Sequence, residues 1–236
     1  MDLSVLPRAG ELSPLDARVP RWRPGLVCSP HSEVFASANE ASGTGLALAL
    51  AVGGLTEERI GQRRLLWVQD KASLRLNGRP YRPGLPPALR GRLIHVCAAK
   101  PEDALFALEE GIRCRDLLCV IGEIAGNPKA LDFTASRRLT LAAEKYGVPL
   151  LLVRHDAQAD LSSARMRWRA GAAPSLPPRW NAAAPGSPAW RAELFRARGH
   201  APGEWILRND GQVLAADAPD HGDLAGAAGS RSLAAS

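Results

Sequence analysis

Along the middle of the chain, apolar residues come in short unbroken runs, not in strict alternation with polar ones. Segments 33–37, 65–69, 93–98, 117–121 and 148–153 are each five or six residues long and bounded by polar, Gly or Pro positions. That length and continuity predict strands of a parallel sheet covered on both faces. Helical patterns lie between them. Residues 44–52 are Ala and Leu nearly all round. A second helix starts at Pro101-Glu102-Asp103, with Pro suited to the first turn and the acids to the positive helix end. Its apolar face is Ala104, Leu105, Leu108 and Ile112, and Gly111 lies near its end. A third helix, 133–146, carries Phe133, Leu139, Ala142 and Tyr146 and stops at Gly147. Strands alternating with helices predict an α/β doubly wound, mostly parallel sheet with helices on both faces. After residue 153 the pattern changes. Segments 165–170, 190–197 and 204–208 read as exposed strands between Pro-rich connections, added to one sheet edge. Residues 1–30 are rich in Pro, Arg and Gly without a period and read as a flexible arm. Residues 31–210 form the core domain. Residues 211–236, Ala, Gly, Asp and Ser with few large apolar groups, read as a disordered tail.

Composition narrows the class. With 236 residues, 46% of them apolar, the chain can bury one sizeable core. It has no apolar run of 18 residues, and its first residues lack a basic flank followed by an apolar stretch, so the reading is a cytoplasmic protein without a membrane span. Of the four cysteines, 28, 97, 114 and 119, no pair has metal-binding C-x₂-C spacing, and Cys97 and Cys119 fall inside strand-like runs. They read as reduced, structural thiols, with no metal site. Between residues 161 and 208 there are eight arginines against Glu193 and Glu204, an excess equal to the chain's whole net charge of +6. Such a face suits nucleic acid or an acidic protein.

The most informative local feature is Ala38-Asn39-Glu40-Ala41-Ser42-Gly43-Thr44-Gly45-Leu46. It lies between a strand and a helix, the context in which a Gly-rich turn aims backbone N–H groups at phosphates. Laid on G-x-x-x-x-G-K-[ST], the two Gly positions hold Ala38 and Gly43. The Lys position holds Thr44, and the Mg²⁺-binding hydroxyl position holds Gly45. Without that Lys and that hydroxyl the loop lacks its point charge and its metal ligand. Glu40, Ser42, Gly43, Thr44 and Gly45 therefore read as a vestigial phosphate loop. It either keeps some anion affinity through its N–H groups or is a tight strand–helix turn that needs glycine for backbone reasons. Strand 118–121 is followed by Gly122-Glu123, so the usual Walker B Asp has no clear counterpart and Glu123 stands one residue late. Asp70, at the end of the second strand, lies near where such enzymes carry the acid that activates water, but Lys71-Ala72 follows it.

Other residues carry weaker signals. His95, mid-strand, reads as a core histidine with one hydrogen bond. His155-Asp156 ends the last core strand, where α/β folds place sites, without a nucleophile beside it. In Arg165-Met166-Arg167-Trp168-Arg169, basic and apolar residues alternate, which in a strand puts the three arginines on one face. Arg196 and Arg198, with Arg191 nearby, repeat the spacing. Arg165, Arg167, Trp168, Arg169, Arg191, Arg196 and Arg198 are thus the candidate surface for DNA or an acidic partner. The competing reading is an edge strand blunted by charge.

These segments together resemble the RecA-like core and, more closely, the ImuA family. The resemblance rests on residues 33–45, on Leu65-Leu66-Trp67-Val68-Gln69-Asp70, on Gly111-Ile112-Arg113-Cys114 and on Val120-Ile121-Gly122-Glu123-Ile124. It extends through residues 131–139, Trp190-Arg191-Ala192-Glu193-Leu194-Phe195-Arg196-Ala197-Arg198-Gly199 and Pro202-Gly203-Glu204-Trp205. It implies a non-catalytic accessory factor of SOS-induced mutagenic translesion synthesis, nucleoid-associated on DNA damage. The implied partners are an ImuB-like inactive homologue of Y-family polymerases, RecA, and indirectly an error-prone C-family polymerase, with single-stranded DNA as a further ligand. ATP could bind such a chain but is not expected to be hydrolysed. The alternatives are a RecA-like NTPase with a remodelled loop and a SulA-like cell-division inhibitor.

Overall fold

The five apolar runs become the centre of one nine-stranded sheet. The computed structural model describes residues 19–216 except 27, 54, 179, 182, 211 and 212. In chain order the elements are β1 (His31–Ala36), α1 (Ser42–Val52), α2 (Glu57–Ile60), β2 (Arg64–Asp70), α3 (Lys71–Asn77) and β3 (Leu93–Ala98). They continue with α4 (Pro101–Arg113), β4 (Leu117–Ala125), α5 (Phe133–Tyr146), β5 (Leu150–His155), β6 (Met166–Ala172), β7 (Ala189–Ala197), β8 (Gly203–Asp210) and β9 (Val213–Ala216). The sheet order is β3-β2-β4-β5-β1-β6-β7-β8-β9. Strands β1 to β6 are parallel, and β7, β8 and β9 add antiparallel on one side. Mostly parallel strands with helices on both faces are the RecA-like α/β class expected from the sequence.

Two apolar layers hold the sheet. On one face α1 lies against Val34, Trp67, Ile121, Val153 and the C-terminal strands; on the other α4 and α5 cover Leu66, Val120, Ile124, Leu150 and Leu152. Helix α1 has no side-chain cap. Its Leu and Ala residues are apolar all round, as a buried helix requires. Helix α5 is bounded by local chemistry: the Asp132 carboxylate accepts the Ala135 N–H at 2.7 Å, and Gly147, at φ 72°, takes the left-handed conformation that closes the other end.

The structure departs from the sequence pattern in four places. Residues 71–77, in which the sequence pattern marked no helix, form α3, and the Asp70 carboxylate caps it by accepting the Ser73 N–H at 2.7 Å. Asp70 is therefore tied to a helix end and not held toward a water. Within the lead-in assigned to the arm, Trp22 is buried and stacks edge-on against Trp168 (4.8 Å) and Trp205 (5.5 Å). A lone Trp among Pro and Arg has no period, so its core position was invisible. Residues 213–216, assigned to the tail, form β9 with Leu214 buried. Cys97, expected inside a covered strand, is exposed because β3 is the sheet edge. Residues 1–18 of the arm and 217–236 of the tail lie outside the described residues. His95 makes the one hydrogen bond expected, to Gln69 Oε1 at 2.8 Å.

Beneath α5 the sheet buries polar groups. His31 is fully buried with its Nδ1 2.7 Å from Thr140 Oγ1. Because Thr140 already donates to the Ser136 carbonyl at 2.9 Å, the imidazole carries its proton on Nδ1 and donates it. Burial, with Arg165 and Arg167 nearby, pushes the ring from its ordinary 6.5 down to about 4, against an opposing pull from Glu33. The fold thus favours the neutral ring. The stability this brings is complete above pH 6.5 and is lost as the pH falls through about 4, on the order of 3 kcal/mol. Denaturant unfolding should show an acid limb in that window that is flatter in His31→Gln. An equally steep limb in the variant would assign the acid sensitivity to other groups.

Candidate functional site

A cleft of about 370 Å³ opens at the carboxyl ends of β2 and β4, between the start of α1 and the segment after α3. This is where open α/β sheets bind ligands. Its walls are largely apolar: Ala41, Leu48, Trp67, Tyr81 and Leu85, with Thr44 and Gly45 from α1 and Glu123 at its base. Residues 37–41 make the turn from β1 into α1, and the turn is tied down from outside. The Ala38 N–H donates to Asp156 Oδ1 at 3.0 Å and the Asn39 N–H to Ser37 Oγ at 3.2 Å. Asp156 can do this because it turns into the left-handed region, φ 49°, directly after β5, a conformation Asp tolerates. Glu40 accepts the Ala172 N–H at 3.0 Å, which fixes a carboxylate between the turn and β6.

The two glycines of the turn are packing residues. A Cβ on Gly43 would stand 2.5 Å from Ala36 Cβ, and one on Gly45 would stand 2.8 Å from Trp190 Nε1 and 3.1 Å from its Cζ2. Side chains at 43 and 45 are excluded because α1 lies directly on β1 and Trp190. The Ser42 and Thr44 hydroxyls are buried without a hydrogen-bond partner among the described residues.

At the base of the cleft Glu123 is buried at 1% exposure. One carboxylate oxygen accepts the Trp67 Nε1–H at 2.6 Å; the other accepts from His155 Nε2 at 2.8 Å and from the Asn77 amide at 3.3 Å. Strand β4 runs on through Gly122, Glu123 and Ile124, four residues beyond the sequence estimate, and this carries Glu123 between Gln69 and Val153. The residues were noted singly in the sequence: Glu123 as a displaced acid, His155 as a strand-end histidine, Trp67 as part of an apolar run. Their convergence depends on the crossover order of β2, β4 and β5, which no spacing encodes. Chemically the cluster holds one acid with three donors and leaves no lone carboxylate facing the cleft.

The arginine surface is only partly as expected. Arg167 is buried at 3% exposure, its Nε 2.7 Å from Glu33 Oε2, and its guanidinium lies 5.0 Å from the Phe35 ring and 5.4 Å from that of Phe195. Glu33 also accepts the Ser162 hydroxyl at 2.8 Å. Trp168 is 1% exposed, in the tryptophan cluster. Neither residue belongs to a surface: Arg167 is covered by Glu33, Phe35 and Phe195, and Trp168 by Trp22 and Trp205. The alternation did put Arg167 and Arg169 on the same side, but the side is covered at one and open at the other. Arg165 pairs with Glu144, Arg169 with Glu193 and Arg191 with Glu204. Arg196 and Arg198 are exposed, with no ion pair among the described residues. Arg154, unremarked in the sequence, is buried, donates to the Gly126 carbonyl at 2.9 Å, and has its pKa lowered by that burial. Cys28 and Cys119 are held as thiols by burial, Cys28 pushed up to about 12. No helix among the described residues is long and apolar enough to cross a membrane.

No model of a known protein family matches the chain. Among curated proteins it is 35% identical over 172 residues to Protein ImuA of Caulobacter vibrioides, both from strain NA1000 / CB15N and from strain ATCC 19089 / CIP 103742 / CB 15. The similarity takes in 66% of this chain and 64% of the relative, so the chain spans somewhat less than two-thirds of the proteins it matches. With the RecA-like sheet in place and this identity over about two-thirds of the chain, the chain belongs to the ImuA family.

Proposed function

We propose that this chain acts in mutagenic tolerance of DNA damage as a RecA-like factor without NTPase chemistry, joining an ImuB-type inactive polymerase homologue to RecA. The similarity to Protein ImuA carries the reading. The cleft geometry supports the absence of hydrolysis. The turn has no lysine, its Ala38 and Asn39 N–H groups are already used, and Glu40 leaves a negative charge beside it. A hydroxyl-bearing side chain at position 45 would meet Trp190. The loop thus lacks the lysine and the hydroxyl at the positions where a phosphate loop uses them to hold a magnesium–nucleotide complex. Binding energy in such a protein goes into surfaces and assembly, and the RecA-like architecture serves as a platform.

Affinity purification of the tagged chain from cells exposed to a DNA-damaging agent tests the reading. The expected result is co-recovery of the polymerase homologue and RecA, absent from undamaged cells. Recovery of a cell-division protein in their place, or of neither partner, would refute the bridging role.

A further inference from the structure

The stretch from α3 to the start of α4 carries charge that nothing in the fold answers. From Lys71 to Lys100 the chain holds seven basic residues, at 71, 75, 79, 82, 90, 92 and 100, and no Asp or Glu. No ion pair among the described residues involves any of them. Their field is felt on β3. Burial first, and then Arg79 and Arg82 against an opposing pull from Glu123, lower the pKa of His95.

This stretch is one wall of the cleft, and the cleft is longer than its first hollow. A second hollow of about 470 Å³ adjoins it, with Gly45, Leu48, Gly84 and Leu85 common to both. Arg79 lines the first hollow and Arg90 the second, and the apolar side chains of Leu48 and Leu85 lie where the two meet. Among the described residues, Glu123 is the one acid lining either hollow, and its oxygens are taken by Trp67, His155 and Asn77. We infer that this groove, between α1 and residues 78–90, docks an extended acidic segment of a partner protein. Its carboxylates pair with Arg79 and Arg90, and apolar side chains between them sit on Leu48 and Leu85.

The first argument is charge complementarity. Two exposed guanidiniums without a carboxylate partner flank an apolar floor, so the fitting occupant carries acids on either side of apolar anchors. A second copy of this chain, at a net charge of +6, brings like charge to this face. A nucleic-acid strand needs cations that follow its backbone and open aromatic faces for its bases, whereas here aliphatic and proline surface separates the two cations. The second argument is that the wall is already formed. Prolines 80, 83, 86 and 87 restrict it, the Leu85 N–H donates to the Arg82 carbonyl at 3.1 Å, and the Leu89 N–H donates to that of Pro86 at 2.8 Å. Leu85 and Leu89 anchor it in the core at 4% and 0% exposure. A groove that needs no ordering loses little entropy when it is filled. The inference goes beyond the accessory role proposed above and does not depend on which proteins that role joins, so failure to capture those partners leaves it standing.

The test is selection of random 12-residue peptides displayed on phage against the immobilised full chain. The expected winners carry Asp or Glu on both sides of Leu, Phe or Trp. Fluorescence anisotropy of the strongest one, synthesised and labelled, should show binding that weakens with salt. Arg79→Glu/Arg90→Glu should weaken it at least about tenfold, because it sets like charges against the peptide's acids. Leu48→Ala should weaken it several-fold while the salt dependence stays. Thermal unfolding checks that each variant is folded, and Tyr81→Ser, at a ring 75% exposed beside the first hollow, replaces Leu48→Ala if that variant is not. No enriched peptide, winners without acids, or equal binding by the charge-reversed variant would overturn the inference. Displacement of the peptide by a 20-nucleotide oligo-dT that binds more tightly, and that the charge-reversed variant no longer binds, would overturn it in favour of nucleic acid.

Discussion

Arg167→Ala should cost about 3–5 kcal/mol of stability, because it leaves Glu33 buried without its counter-charge. Glu33 is 1% exposed and Arg167 is 3% exposed, so water cannot replace the lost partner. The guanidinium also fills the space between Phe35 and Phe195, and its removal opens a cavity there. Arg169→Ser is the control. Its ion pair with Glu193 lies at the surface, 55% and 42% exposed, and should contribute less than about 1 kcal/mol. Urea unfolding of the two variants separates the cases. Comparable small losses for both would mean that Arg167 is a surface residue, as the alternating sequence had implied. A replacement of all three ribbon arginines is therefore no test of a binding surface, since it would unfold the domain through Arg167 alone.

Glu123→Ala should cost about 3 kcal/mol, because it strands two buried donors, Trp67 Nε1–H and His155 Nε2–H, each worth about 1–3 kcal/mol when unsatisfied. Glu123→Gln should cost less, since its carbonyl still accepts from Trp67 and the imidazole can change tautomer to accept from the new amide. This ordering distinguishes a structural acid from a hydrolytic one. A hydrolytic acid replaced by Gln loses activity and keeps or gains stability, whereas a structural acid replaced by Gln loses stability. A Glu123→Ala protein as stable as the parent would show that the carboxylate cluster does not hold β2, β4 and β5 together at the cleft.

The fold was legible wherever a pattern repeats. The unbroken apolar runs gave five of the six parallel strands, Pro101 and Gly147 marked helix ends that the structure places within a residue or two, and the change of pattern after residue 153 marked β6 to β8, of which β6 is still parallel and β7 and β8 are antiparallel. What was not legible depends on which strand neighbours which. Arg167 and Arg169 have the same alternation and the same residue type, yet one sits over β1 against Glu33 and the other at the open face near Glu193. Trp22 joins the core through a contact with residues about 150 and 180 positions away, which no local window contains. In the candidate site, the sequence left the loop glycines open between anion binding and a turn that needs glycine for backbone reasons, and the structure places both in the first turn of α1 against neighbouring side chains. That Trp190 is what approaches Gly45 required the sheet order.

The central claim is that this RecA-like chain carries no NTPase chemistry, and phosphate release measures it most directly. The purified chain is incubated with magnesium and ATP, with and without single-stranded DNA, beside a Gly43→Arg variant and a mock preparation. The account predicts release equal to the mock in every case. Release above the mock by the parent chain would contradict it, whatever the variant does, because a side chain at Gly43 also disturbs the packing of α1 on β1.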